Sequence, residues 1–118
     1  YQNYQGEKLT NRFNAYSYYY LTKAMDSHNI GRNRNSIVDA LKTVKANTLV
    51  IGIENDILFP LSEQKYLAEH IEDAQFYALQ SDYGHDGFLI ETDALTNVIG
   101  NFIRDSSTKK IIKLNRTA

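Results

Sequence analysis

The 118 residues carry 13 Lys and Arg against 14 Asp and Glu, a net charge of −1, and 42% of them are hydrophobic. So weak a field is not expected to hold a polyanion, which argues against non-specific nucleic-acid binding. Without Cys there is no disulfide scaffold, zinc–thiolate centre or Cys nucleophile, and no apolar run approaches a membrane span.

The length allows one core of ordinary size, and the composition suits a folded domain. The chain opens at Tyr1, directly in helical pattern, and six of its nine tyrosines fall in the first twenty residues. That abrupt start reads as a segment of something longer, and no secretory leader is expected. Residues 1–30 have helical spacing: Leu9, Phe13, Tyr16, Tyr20 and Ala24 lie three and four apart and form one face. Asn14, with Ser17 three residues on, is a candidate N-cap that divides the region into two helices. Aromatics at this spacing usually belong to a core, but six tyrosines exceed one small core's need, so a ligand wall or dimer face is an alternative.

The Asn-rich stretch 29–35 reads as a linker. Asn33, Arg34 and Asn35 are expected to be a solvated loop rather than a phosphate site. Ser36 is predicted to cap a short helix whose buried stripe is Ile37, Leu41 and Val44. Thr48-Leu49-Val50-Ile51-Gly52-Ile53 is a continuous apolar run, as in a parallel strand covered on both faces. A loop through Pro60 follows. Ser62 is the expected cap of the next helix, with Leu61 and Tyr66 as its hydrophobic staple, and the helix runs to about His70. Residues 74–80 are a second strand. A strand–helix–strand unit in a parallel sheet results. Residues 81–88 form a Gly-containing loop. A last helix begins near Thr92 or Asp93, with Leu95, Val98, Ile99, Phe102 and Ile103 as its stripe. Beyond Ser106, Ile111, Ile112 and Leu114 suggest a short strand or docking segment.

Asp56 and His85 stand just beyond the carboxyl ends of the two strands, the edge where α/β sheets build sites. Either alone is more often a turn former or a solvated ring. Together they suit an acid that fixes an imidazole tautomer so that the other ring nitrogen works as a base. Asp86, next to the base, is either a loop-stabilising side chain or a carboxylate facing a substrate. His28, His70 and His85 fall on separate elements, so no metal site is expected. No Ser lies in a G-x-S-x-G context. Acid then His, following a Ser that these residues do not supply, is the chain order of the α/β-hydrolase triad.

Three stretches carry a family resemblance. Tyr4-Gln5-Gly6-Glu7-Lys8 with Arg12-Phe13-Asn14-Ala15-Tyr16-Ser17-Tyr18 and Leu21-Thr22-Lys23-Ala24-Met25-Asp26 resembles the end of the lid region of homoserine O-acetyltransferases. The strand at 48–53 with Asp56-Ile57-Leu58-Phe59-Pro60 is similar to that family's acid loop, and Tyr83-Gly84-His85-Asp86-Gly87-Phe88-Leu89-Ile90-Glu91 to its histidine motif. Asn14 stands where the family commonly has Asp, and Gly87 where it has a slightly larger residue; neither departure is expected to touch the chemistry. The resemblance implies the carboxyl-terminal portion of an α/β-hydrolase fold, preceded by lid helices. The divisions are 1–30 for the lid end, 31–105 for the core part and 106–118 for a tail.

It further implies acetyl transfer from acetyl-CoA, a co-substrate rather than a bound cofactor, to the hydroxyl of L-homoserine. Asp56 and His85 would be the acid and base, and Asp86 would hold the substrate's amino group. The Ser nucleophile would lie upstream, so the 118 residues alone are expected to be inactive. A cytoplasmic homodimer joined through the lid helices is the expected assembly. The alternatives are a related acyltransferase or esterase with another acceptor, and a non-catalytic α/β interaction module.

Overall fold

The computed structural model describes residues 1–115, with side chains through Ser106. It divides into two compact units, Tyr1–Ile37 and the stretch from Val38 on.

The first unit is a helical pair, α1 (Gln2–Arg12) and α2 (Ala15–Asp26). They separate where the sequence places a cap: Phe13 is extended, and Asn14 Oδ1 accepts the Ser17 N–H at 2.8 Å. That bond satisfies one of the amides a helix start leaves without a partner. No residue of either helix is buried. On the periodic face Phe13 is half-buried, while Leu9, Tyr16 and Tyr20 are exposed. The loop that follows holds itself together. Asn29 Oδ1 accepts the Gly31 N–H, and Arg32 and Arg34 donate to the carbonyls of Ser27 and Ile30. Asn33 and Asn35 adopt φ of 63° and 65°, a left-handed conformation that Asn tolerates better than most side chains.

In the second unit the sheet pairs β1 (Leu49–Ile53) in parallel with β2 (Gln75–Leu79), from Leu49 opposite Gln75 to Ile53 opposite Leu79. Helix α4 (Leu61–His70) makes the crossover and packs on both strands. The class is therefore α/β with a parallel pair. Helix α4 lies close on β1 at Gly52, where a Cβ would come within 2.7 Å of Leu61 Cδ1 and make that side chain move. The core is small: Val50, Ile53 and Leu79, with Ala40 and Leu41 of the short helix α3 (Ile37–Leu41). Leu79 is 1% exposed. Leu79→Ala should cost about 2–5 kcal/mol, as a buried Leu truncation does when its surroundings relax only partly. Chemical denaturation of the full-length protein measures this, and a loss below about 1 kcal/mol would mean that the site collapses around the smaller side chain.

Five local expectations are corrected. Helix α4 begins at Leu61 with Pro60 as its N-cap, not Ser62, because the Pro60 carbonyl already accepts the Glu63 N–H at 2.9 Å. Ile37 is exposed, and Ala40 joins Leu41 inside instead. The loop after β2 is not irregular throughout. It holds a 3₁₀ turn at Gly84–Asp86 and the one-turn helix α5 (Gly87–Ile90). Helix α6 runs Thr92–Asn115, so Ile111, Ile112 and Leu114 continue a helix rather than forming a strand. On α6, Leu95, Val98 and Phe102 are half-buried while Ile99 and Ile103 face outward. Residues 116–118 of the proposed tail lie outside the described residues.

Candidate active site

Asp56 leaves β1 at its carboxyl end and turns back on its own loop. Its Oδ1 accepts the Leu58 and Phe59 N–H groups at 2.8 and 2.9 Å. This is the side-chain-to-backbone turn that Asp favours in loops. The other oxygen, Oδ2, lies 2.9 Å from His85 Nδ1. The Asp56 side chain is 4% exposed, while its partners lie nearer the surface.

Burial by itself pushes the Asp56 carboxyl up. The bonds from His85, Phe59 and Leu58, with the attraction of the imidazole, outweigh burial and hold the carboxyl below its ordinary 3.8. A carboxylate is therefore the form present at neutral pH, and it accepts a hydrogen bond only. In the neutral ring Nδ1 then carries the proton, and Nε2, on the far side, keeps the lone pair.

A depressed folded pKa stabilises the fold fully above 3.8, and that contribution is lost as the pH falls through the lower folded value. As the pH falls from 3.8 to that lower value, the parent protein should therefore lose stability more steeply than Asp56→Asn, which has no proton to take up. Acid unfolding curves of equal steepness would contradict this.

The His85 ring is braced on two sides. Phe59 lies 5.2 Å away between centroids, tilted by 47°, and Phe88 meets it edge-on at 5.4 Å. Sequence reasoning did not single out either Phe. Each sits three residues from the group it serves, Phe59 after Asp56 and Phe88 after His85, which was the available signal. The His85 side chain is 35% exposed, open enough to meet a reactant.

Two clefts meet at this imidazole. One, of about 270 Å³, is walled by β1 residues, Phe59, Gln64 and Phe88. The other, of about 510 Å³, has Ile57, Leu58 and Tyr83 as apolar wall and Asp82 and Asp86 as acidic groups. Asp86 is exposed and shares this second cleft with His85, so the two candidates are brought together. Gly87 is less neutral than expected, because a Cβ there would come within 2.7 Å of Ser81 Oγ.

The remaining histidines are elsewhere. His28 is exposed in the first unit, and His70 lies at the end of α4, bonded to the Tyr66 carbonyl at 2.8 Å. Among the described residues, no three His, Cys, Asp or Glu are grouped as a metal ion would require. Among them, too, no helix is long and apolar enough to cross a membrane.

No family model matches the chain. Individual relatives do. A homoserine O-acetyltransferase of Cyclobacterium marinum is 45% identical over 107 residues, covering 91% of this chain and 30% of that protein. One from Salinibacter ruber is 42% identical over 86% of this chain and 29% of its own length. The chain is homologous to the homoserine O-acetyltransferases. The similarity reaches beyond bacteria, since the homoserine O-acetyltransferase of Saccharomyces cerevisiae is 41% identical over 88% of this chain and 22% of its own length. The chain thus spans about three tenths or less of the homoserine O-acetyltransferases it matches. Coverage this broad takes in the central stretch that carries both Asp56 and His85.

Proposed function

We propose that this chain is the acid- and base-bearing part of a homoserine O-acetyltransferase. The observation that carries the reading is the bond from His85 Nδ1 to a buried Asp56 carboxylate, at 2.9 Å. It fixes the tautomer that a general base needs, and an α/β interaction module has no use for it. The names of the relatives supply the reaction, and their greater length supplies room for the rest of the machine.

In this reading the fold is the later part of an α/β-hydrolase, with α1 and α2 as lid helices. The nucleophile is a Ser outside these 118 residues. His85 Nε2 takes the Ser proton as the oxygen attacks the thioester carbonyl of acetyl-CoA. The thiolate leaves and takes that proton from the imidazolium. The homoserine hydroxyl then gives its proton to Nε2 and attacks the acyl-enzyme, and Ser departs with the proton restored. Acetyl-CoA is a co-substrate, and no resident cofactor is called for. Asp86, on the cleft wall beside the base, holds the ammonium group of homoserine. The exposed tyrosines of α1 and α2 form the contact of a cytoplasmic homodimer.

Incubating the full-length protein with acetyl-CoA and homoserine, serine or water tests the reading. O-acetylhomoserine is the expected product. Acetyl transfer to water alone would make the protein an esterase, and preferential transfer to serine would make it an acyltransferase with another acceptor.

A further inference from the structure

The acid and the base come from loops 29 residues apart, and their bond needs those loops held in fixed relative position. Residues beside the pair, rather than in it, provide that hold. Asn55 Nδ2 donates to the Ser81 carbonyl at 3.2 Å, and this bond runs directly between the acid loop and the histidine loop. The Asn55 main chain abuts the same loop: Gly84 has φ of +54°, and a Cβ there would lie 3.2 Å from the Asn55 carbonyl oxygen. Only Gly suits that backbone and that approach together.

Ser81 is buried, and its hydroxyl accepts the Tyr83 N–H at 3.2 Å. Across from it a Cβ at Gly87 would lie 2.7 Å from Ser81 Oγ and 2.8 Å from Ser81 Cβ, so Ser81 would have to shift. Ser81 is thus a buried, hydrogen-bonded anchor four residues ahead of the base, and Asn55 is fastened to it one residue ahead of the acid.

We propose that Asn55 is a positioning residue of the reaction: clasping Ser81, it sets the His85 imidazole in register with the Asp56 carboxylate. The proposal rests on the acyl-transfer reading above. Asn55 touches no reacting atom. Asn55 also lines the larger cleft, but its side-chain bond goes to Ser81; its effect is on how often Nδ1 and Oδ2 meet in bonding geometry, so it acts on turnover more than on substrate binding.

The test uses the full-length protein with Asn55→Ala, Asn55→Asp and Asn55→Ser. Asp has the size of Asn but offers no N–H to the Ser81 carbonyl, and Ser restores a donor on a shorter stem. Asn55→Ala and Asn55→Asp should lower kcat by about ten- to a hundredfold, with KM moved by roughly twofold or less. Asn55→Ser should recover part of the loss. In parallel, the downfield proton resonance of His85 Nδ1–H should broaden or vanish in the Ala and Asp variants and return with Ser. If Ala and Asp variants that fold as the parent does keep both kcat and the resonance, the proposal is overturned. It is overturned equally if kcat falls only as Tm falls, with the resonance intact in the folded protein. The resonance needs no substrate. A parent that fails to acetylate homoserine would therefore sink the functional reading, while the proton signal alone would still judge the clasp.

Discussion

Full-length protein carrying Asp56→Asn should lose acetyl transfer to homoserine by about 10⁴-fold while remaining folded. The size of the loss follows from which oxygen does what. Oδ1 is committed to the Leu58 and Phe59 N–H groups, so in the variant the Asn carbonyl oxygen takes that place. The amide NH₂ is then left facing His85 Nδ1, a donor against a donor. The ring relieves the conflict by moving its proton to Nε2 and accepting at Nδ1. The nitrogen that should take the nucleophile's proton already holds one, and the base is gone without any change of shape. Steady-state kinetics and a melting curve measure the two halves of this expectation. Activity within about tenfold of the parent would mean that Asp56 is only a turn former.

His85→Ala should be at least as damaging, with transfer falling by about 10⁴-fold or more and KM little affected. Here the proton acceptor is absent rather than mis-set. The Ser hydroxyl is a poor nucleophile without a base, and the homoserine hydroxyl is no better in the second half-reaction. The variant also empties the space between Phe59 and Phe88, so its Tm should be recorded beside its turnover. Unchanged turnover would remove His85 from the mechanism and leave the non-catalytic module as the better account. Combined with Asp56→Asn, the loss should scarcely exceed that of His85→Ala alone, because the acid acts only through the base.

The outline of this site was legible in the sequence for a simple reason. The apolar run 48–53 lacks alternation, which points to a parallel strand, and among the described residues it pairs with β2 on one side only. A parallel partner after one helix then brings the next loop to the same edge. The residues at the two strand ends, Asp56 and His85, were singled out on that ground, and the structure puts them 2.9 Å apart. The cap at Asn14 was legible as well, because capping is local.

What escaped depends on relations between loops. Ser81 anchors the histidine loop through a carbonyl and a hydroxyl, and neither has a signature in the sequence around it. The crowding at Gly87 is a matter of loop-to-loop approach. The start of α4 falls before Ser62 because Pro60 can end a loop and cap a helix at once, and its carbonyl closes the first turn. At Ile111 and Ile112 the strand preference of β-branched residues gives way to continuation of an established helix, which takes in Leu114 as well.

The two halves of the Asp56–His85 pair are assembled on different footings. Asp56 is oriented by amides two and three residues ahead of it, so a nascent chain can set the acid as soon as residues 56–59 turn. His85 meets it only after a loop of 29 residues has closed and β2 has docked beside β1. In folding terms the acid is a low-contact-order feature and the base a high-contact-order one. The pairing of acid and base therefore depends on long-range closure of β2 on β1, while the turn that orients the acid does not.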